Sequence, residues 1–119
     1  MPFPGNKRFE VKVVGESFYE ENFFQLCGPA ASTMRQFQKA AVLTLETKNP
    51  HDNNAVRIDI DGLTVGHLSR EDAVWFRQMS GARNGSCLAC DAVIIALRGN
   101  ARSDYGVRLD IDFDSFHGR

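Results

Sequence analysis

The densest chemistry in the sequence lies in Asn49-Pro50-His51-Asp52-Asn53-Asn54, where an imidazole, a carboxylate and three side-chain amides fall within a few residues. An imidazole beside a carboxylate is raw material for acid–base catalysis. Adjacent residues in a turn, however, seldom orient one another as a dyad. The sequence also has no Gly-x-Ser-x-Gly elbow, no Cys-His-Asn context and no second carboxylate at a recognised spacing. The reading is therefore non-catalytic, with a hydrolase built on His51 and Asp52 ranked far behind. Ligand binding remains. A carboxylate accepts a hydrogen bond from a hydroxyl but repels a phosphate in the same place. Asn49-Pro50 sets a corner and Asn53-Asn54 serves the turn, which leaves His51 and Asp52 for a ligand. The competing structural reading has Asp52 buried and capping its own turn.

Other residues carry weaker signals. Cys87-Leu88-Ala89-Cys90 has the spacing of a metal or redox pair, but strand positions three apart point to opposite faces. No second pair completes a zinc site. Both are read as structural cysteines, and no metal or cofactor is expected. Phe18 and Tyr19 follow the strand-ending Gly15 and precede a helix, where rings stand half exposed; Phe18 is expected outside and Tyr19 partly buried. Phe23, Phe24, Trp75 and Phe76 are assigned to the core. Lys48 flanks the corner. Arg70 falls in the first turn of a helix, where a cation opposes the macrodipole; a bound anion, drawn also by the free N–H groups, would account for it.

The elements that must position these groups can be read from periodicity. Residues 1–8 form a Pro/Gly leader with little structure, followed by one domain over 9–113 and a tail over 114–119. Phe9, Val11 and Val13 alternate with Glu10 and Lys12 in a strand that ends at Gly15. Ser17-Phe18-Tyr19-Glu20 has the form of a capping box for a short helix that stops at Gly28-Pro29. Residues 29–38 show no clear period and are read as loop. Ala41, Leu43 and Leu45 mark a strand running into the Asn49-Pro50 corner. Val56, Ile58 and Ile60 mark the next, and Asp61-Gly62 turns it back as a type I′ hairpin. Ser69 is a natural N-cap for a second helix that ends at Gly81. Cys87–Leu97 and Val107–Phe113 complete the strands. About six strands and two helices without βα alternation predict a mainly β domain with an antiparallel sheet, closed or partly open as a barrel.

Composition narrows the classes further. The 119 residues carry 14 Lys and Arg against 15 Asp and Glu, a formal net charge of -1. That balance argues against sequence-blind coating of duplex nucleic acid, though it leaves room for a small pocket with local cations. Three cysteines without a regular framework fit a reducing compartment. No apolar run approaches the roughly 18 residues of a membrane span, and the first residues lack a signal-peptide core. A cytoplasmic location is expected.

Three segments together resemble one family: Val13-Val14-Gly15-Glu16-Ser17-Phe18-Tyr19-Glu20-Glu21-Asn22-Phe23, Leu45 to Val56 with its Asn-Pro-x-Asp-x-Asn-Ala core, and Gly62-Leu63-Thr64-Val65-Gly66-His67-Leu68-Ser69-Arg70-Glu71. Their order and spacing are similar to the HIRAN domain, found in replication-fork-remodelling helicases and as a stand-alone bacterial module. Tyr105-Gly106-Val107-Arg108-Leu109-Asp110 resembles that family's last strand. The resemblance implies an OB-like six-stranded barrel with two helices that binds single-stranded DNA at a free 3′ end. A DNA-processing enzyme is a possible further partner. By motif, Phe18 and His51 take the positions that stack on the terminal base, and Asp52 the position that meets the 3′-hydroxyl. Lys48 and Asn49 lie beside it, Arg70 matches a phosphate contact, and Tyr105 falls near a later aromatic contact. Two positions depart from the pattern. Ser17 stands where helicase members carry Arg, and His51 where Tyr is common. The alternative is a protein- or peptide-binding barrel that kept the scaffold without the DNA pocket.

Overall fold

Alternation decides which way each strand faces, and the apolar parity of every strand points inward. In the computed structural model, which describes residues 5–46, 54–99 and 103–112, six strands are formed: β1 (Val11–Val14), β2 (Arg35–Leu45), β3 (Val56–Ile60), β4 (Leu63–Leu68), β5 (Cys87–Ala96) and β6 (Tyr105–Leu109). They close into an antiparallel barrel in the order β1-β4-β3-β2-β5-β6. Closure leaves no open edge among these strands. Val11, Val13, Leu43, Leu45, Val56, Ile58, Ile60, Ile94, Val107 and Leu109 fill the interior with Phe23 of helix α1 (Glu20–Cys27) and Phe76 of helix α2 (Arg70–Ser80). The expected mainly β fold with two short helices and a six-stranded barrel is the one observed.

The β3–β4 hairpin turns through Asp61 and Gly62 with φ of 52° and 79°. Positive φ at both central residues is what a type I′ turn requires. Gly66 has a different reason to be glycine. A Cβ there would run into the Val13 side chain and the Val14 carbonyl of β1, so its absence lets β4 approach β1. The β3–β4 register slips between Ile58 and Asp59, a bulge that adds local twist to the barrel wall.

Three local expectations fail for identifiable reasons. Residues 35–38 are strand, because β2 begins at Arg35 and pairs with β5 from Arg35↔Ala96 to Thr44↔Cys87. Arg35 and Lys39 put charges on the parity that Ala41, Leu43 and Leu45 continue inward, which hides the alternation there. Ser17 does not cap α1: Glu16–Tyr19 form a 3₁₀ turn, and Tyr19 precedes the helix without a side-chain cap bond. Phe24 and Trp75, assigned to the core, are 56% and 39% exposed. By contrast Ser69 Oγ accepts from Asp72 N at 3.1 Å and caps α2 as its spacing indicated.

The leader is tied down at its end. Asn6 N and Lys7 N both donate to Asp110 Oδ1 at 2.9 Å. Asp110 is the buried charged residue that this satisfies.

Cys87 is exposed and Cys90 buried, on opposite faces of β5 as strand geometry requires. Burial, helped by the Asp91 and Asp110 carboxylates, pushes the Cys90 thiol from 9.0 up to about 12. The folded state therefore holds this proton more tightly than the unfolded chain. The stabilisation is complete below about pH 9 and is lost as pH rises from there toward 12. In urea titrations, wild-type stability should fall more steeply across that range than that of Cys90→Ala, and the two curves should converge. Parallel curves would contradict the assignment.

Candidate nucleic-acid interface

The aromatic pair after β1 is positioned by a tight turn. Gly15 takes φ 81°, in the left-handed region, and Phe18 N donates to Gly15 O at 3.1 Å. Within this turn adjacent side chains diverge. The Phe18 ring is 86% exposed, an unusual placement for so large an apolar group. Tyr19 turns inward against the core. Phe18 stands at the rim of an open hollow of about 610 Å³, formed with Lys12 and Val14 of β1, Ser17, and Ser103, Tyr105 and Gly106 at the start of β6.

Tyr19 faces another group of polar residues. Its ring centroid lies 6.4 Å from that of His67, tilted by 41°. His67 Nε2 donates to Glu46 Oε1 at 2.9 Å. Arg57 reaches Glu46 Oε2 at 3.8 Å and donates through Nε to Asp59 Oδ2 at 3.2 Å. Thr64 Oγ1 donates to Asp59 Oδ1 at 2.7 Å, and Asn22 Nδ2 to Thr64 O at 2.7 Å. This chain of bonds joins α1, β4, β3 and the end of β2, where the chain enters the Asn-Pro-His-Asp stretch. Its members hold one another's geometry, as connected polar networks do.

Arg77 fixes the mouth of that stretch. From the last turn of α2, its Nε donates to Asn54 O at 2.9 Å, and Nη2 to Glu46 O and Ala55 O at 3.1 Å each. Nη1 donates to Asn84 Oδ1 at 2.5 Å. The backbone adds a bond from Glu46 N to Ala55 O at 2.9 Å. One guanidinium thus grips both ends of the segment that carries His51 and Asp52. Its planar fork of donors suits this in a way a lysine would not.

The expected residues are distributed as follows. Phe18 is outside and Tyr19 half-buried, as read from sequence. Arg70 is exposed at the start of α2, three positions after His67. Lys48, Asn49, His51 and Asp52 lie outside the described residues. Tyr105 borders the Phe18 hollow but is largely covered. It is 5% exposed, stacks on Phe23 at 5.0 Å and 6°, and donates its hydroxyl to Gly28 O at 2.7 Å. Burial raises its pKa. The ring fastens α1 to the barrel. His67, Glu46, Arg57 and Arg77 received no role from the sequence. The Val-Gly-His-Leu motif could have flagged His67. Glu46 and Arg57 depend on cross-strand register and on the bulge, and Arg77 on where α2 meets the ends of β2 and β3, none of which spacing along the chain reveals. Among the described residues no group of His, Cys, Asp and Glu could hold a metal ion, and no helix is long and apolar enough to cross a membrane.

Compared with known proteins, residues 6–113 match the HIRAN domain family. No curated protein and no solved structure matches.

Proposed function

We propose, since the chain belongs to the HIRAN domain family, that it reads the free 3′ end of single-stranded DNA. The family is one of DNA-binding rather than catalytic domains, which supports a DNA-binding module in general. The observation that carries the finer reading is the Phe18 ring, 86% exposed beside a concave surface. An exposed aromatic over a hollow is the element that stacks bases, sequence-tolerantly and at ~1–3 kcal/mol per base.

In this mechanism Phe18 and His51 stack on the terminal base, and Asp52 accepts a hydrogen bond from the 3′-hydroxyl. Lys48, Asn49 and Arg70 hold the neighbouring backbone. A carboxylate at the end position rejects a 3′-phosphate and a continuing strand through like-charge repulsion. Few phosphates need neutralising, so a net charge of -1 is compatible with the function, and salt dependence is mild.

Asp52→Asn separates the two roles of the carboxylate. The amide keeps an acceptor for the hydroxyl and removes the charge. Measured by fluorescence anisotropy, the variant should bind 3′-phosphate strands with an affinity approaching that for 3′-hydroxyl strands. Unchanged discrimination would remove Asp52 from the mechanism.

A further inference from the structure

The hollow beside Phe18 does not end there. A second concavity of about 180 Å³ shares Lys12 and Gly106 with it. A third, of about 570 Å³, shares Ile95 and Arg108 with the second. The three form a continuous depression across the outer wall of the barrel, from the Phe18 turn over β1, β6 and β5 to β2.

Sheet register explains its lining. Lys12 pairs with Arg108, Arg108 with Val93, and Val93 with Gln38. One row of outward side chains therefore crosses four strands, a span of roughly 14 Å at the usual strand spacing. The alternate positions Val11, Val13, Val107, Leu109, Ala92 and Ile94 are buried, which holds the row on the outer face. Arg8 joins the far end, brought over the barrel by the leader that Asp110 pins down. Its pair with Glu10, at 3.8 Å and with both side chains more than half exposed, is too loose and solvated to compete strongly with a phosphate. Among the described residues Lys12 and Arg108 have no carboxylate within ion-pairing distance. Among the described residues the carboxylate lining the path is Glu16, which accepts from Val107 N at 3.3 Å.

We infer that this depression carries the body of the single strand whose 3′ end occupies the Phe18 site, and the inference rests on the end-binding reading above. Three cations along the path match successive phosphates. Val93, Ile95 and Phe9 give an apolar floor on which bases lie. Gln36 and Gln38 both donate and accept, and so meet base edges without selecting one base. A peptide partner would meet the same wall, but nothing else there selects one, whereas the exposed aromatic at one end and the cations beyond it suit a nucleic-acid strand.

The test uses 3′-hydroxyl thymidine strands of about two and about eight nucleotides, compared by competition anisotropy across a salt series. The wild type should bind the longer strand at least about tenfold more tightly, with a steeper salt dependence. The double variant Arg8→Gln/Arg108→Gln should bring that gap below about threefold and lower the log–log salt slope by roughly 1.4, about 0.7 per lost charge. The charge-retaining Arg8→Lys/Arg108→Lys should restore most of it.

Equal wild-type affinity for the two strands overturns this path, as does a gap that survives the glutamine variant. The end-binding reading stands in either case if 3′-hydroxyl and 3′-phosphate strands are still told apart. An arginine-dependent length effect without any end discrimination keeps the path and overturns end reading. Failure to bind either strand overturns both.

Discussion

Arg77→Met should lower both stability and DNA affinity, because one side chain holds the two ends of the His51–Asp52 segment. The substitution keeps an unbranched stem and removes the guanidinium. Three backbone carbonyls, those of Glu46, Asn54 and Ala55, then lose a charged donor. Charge-assisted bonds are worth about 1.5–3 kcal/mol each when deeply buried. Arg77 is half-buried and water can replace part of what is lost, so a total of about 2 kcal/mol is expected. For a domain of this size that corresponds to a drop in melting temperature of roughly 5–10 °C. Affinity for 3′-hydroxyl strands should fall at least about tenfold at a temperature where the variant is fully folded. The readout that isolates positioning from folding is end discrimination. If Arg77 sets where Asp52 stands, the ratio of 3′-hydroxyl to 3′-phosphate affinity should collapse in Arg77→Met. Arg77→Lys, which reaches at most one or two of the carbonyls, should recover it in part. A destabilised variant that kept the full ratio would show that Arg77 serves the fold alone.

Phe18→Ala is expected to affect binding alone, weakening it by roughly 5- to 150-fold while leaving the melting temperature within about 2 °C of wild type. The reason is where the ring sits. At 86% exposure it contributes almost no burial to the core, and its turn is held by Gly15 φ and the Phe18 N to Gly15 O bond, neither of which needs the ring. An apolar ring left in water has no structural role to lose. Its truncation removes stacking and nothing else. Phe18→Trp should bind at least as tightly as wild type, because the larger π-face stacks as well or better. A stability loss of several degrees with unchanged affinity would place Phe18 in the fold and remove it from the site. Tyr105 differs, because its ring stacks on Phe23 and its hydroxyl donates to Gly28 O.

How far these features could be read in advance follows from the range of the interactions involved. The β3–β4 hairpin was legible because Asp61-Gly62 encodes its own backbone geometry. The Ser69 cap was legible because donor and acceptor lie three residues apart. Phe18 and Tyr19 parted as expected, since adjacent side chains in the turn after Gly15 diverge. The first half of β2 was missed because Arg35 and Lys39 break its inward apolar parity, and its pairing partner β5 lies dozens of residues away. Ser17 carries a capping pattern that the 3₁₀ turn overrides. The Glu46–His67–Arg57–Asp59 chain and the Arg77 grip are non-local altogether. They exist because barrel closure and a bulge bring β2, β3, β4 and the end of α2 together. Motif spacing named the segment that carries Asp52; the fold supplies the residues that hold the two ends of that segment.

The division of labour in this domain follows. The barrel interior provides stability, and its outer wall presents an exposed aromatic, a polar network and a basic row. Arg77 sets the entrance to the Asn-Pro-His-Asp segment. The central claim is that a carboxylate in that segment reads a chain end. Its most direct test is the affinity of the wild-type protein for one short single strand carrying either a 3′-hydroxyl or a 3′-phosphate, measured side by side by fluorescence anisotropy. The account predicts clear preference for the hydroxyl, by about tenfold or more, given one like-charge contact against one hydrogen bond. Equal affinity for the two ends would contradict it.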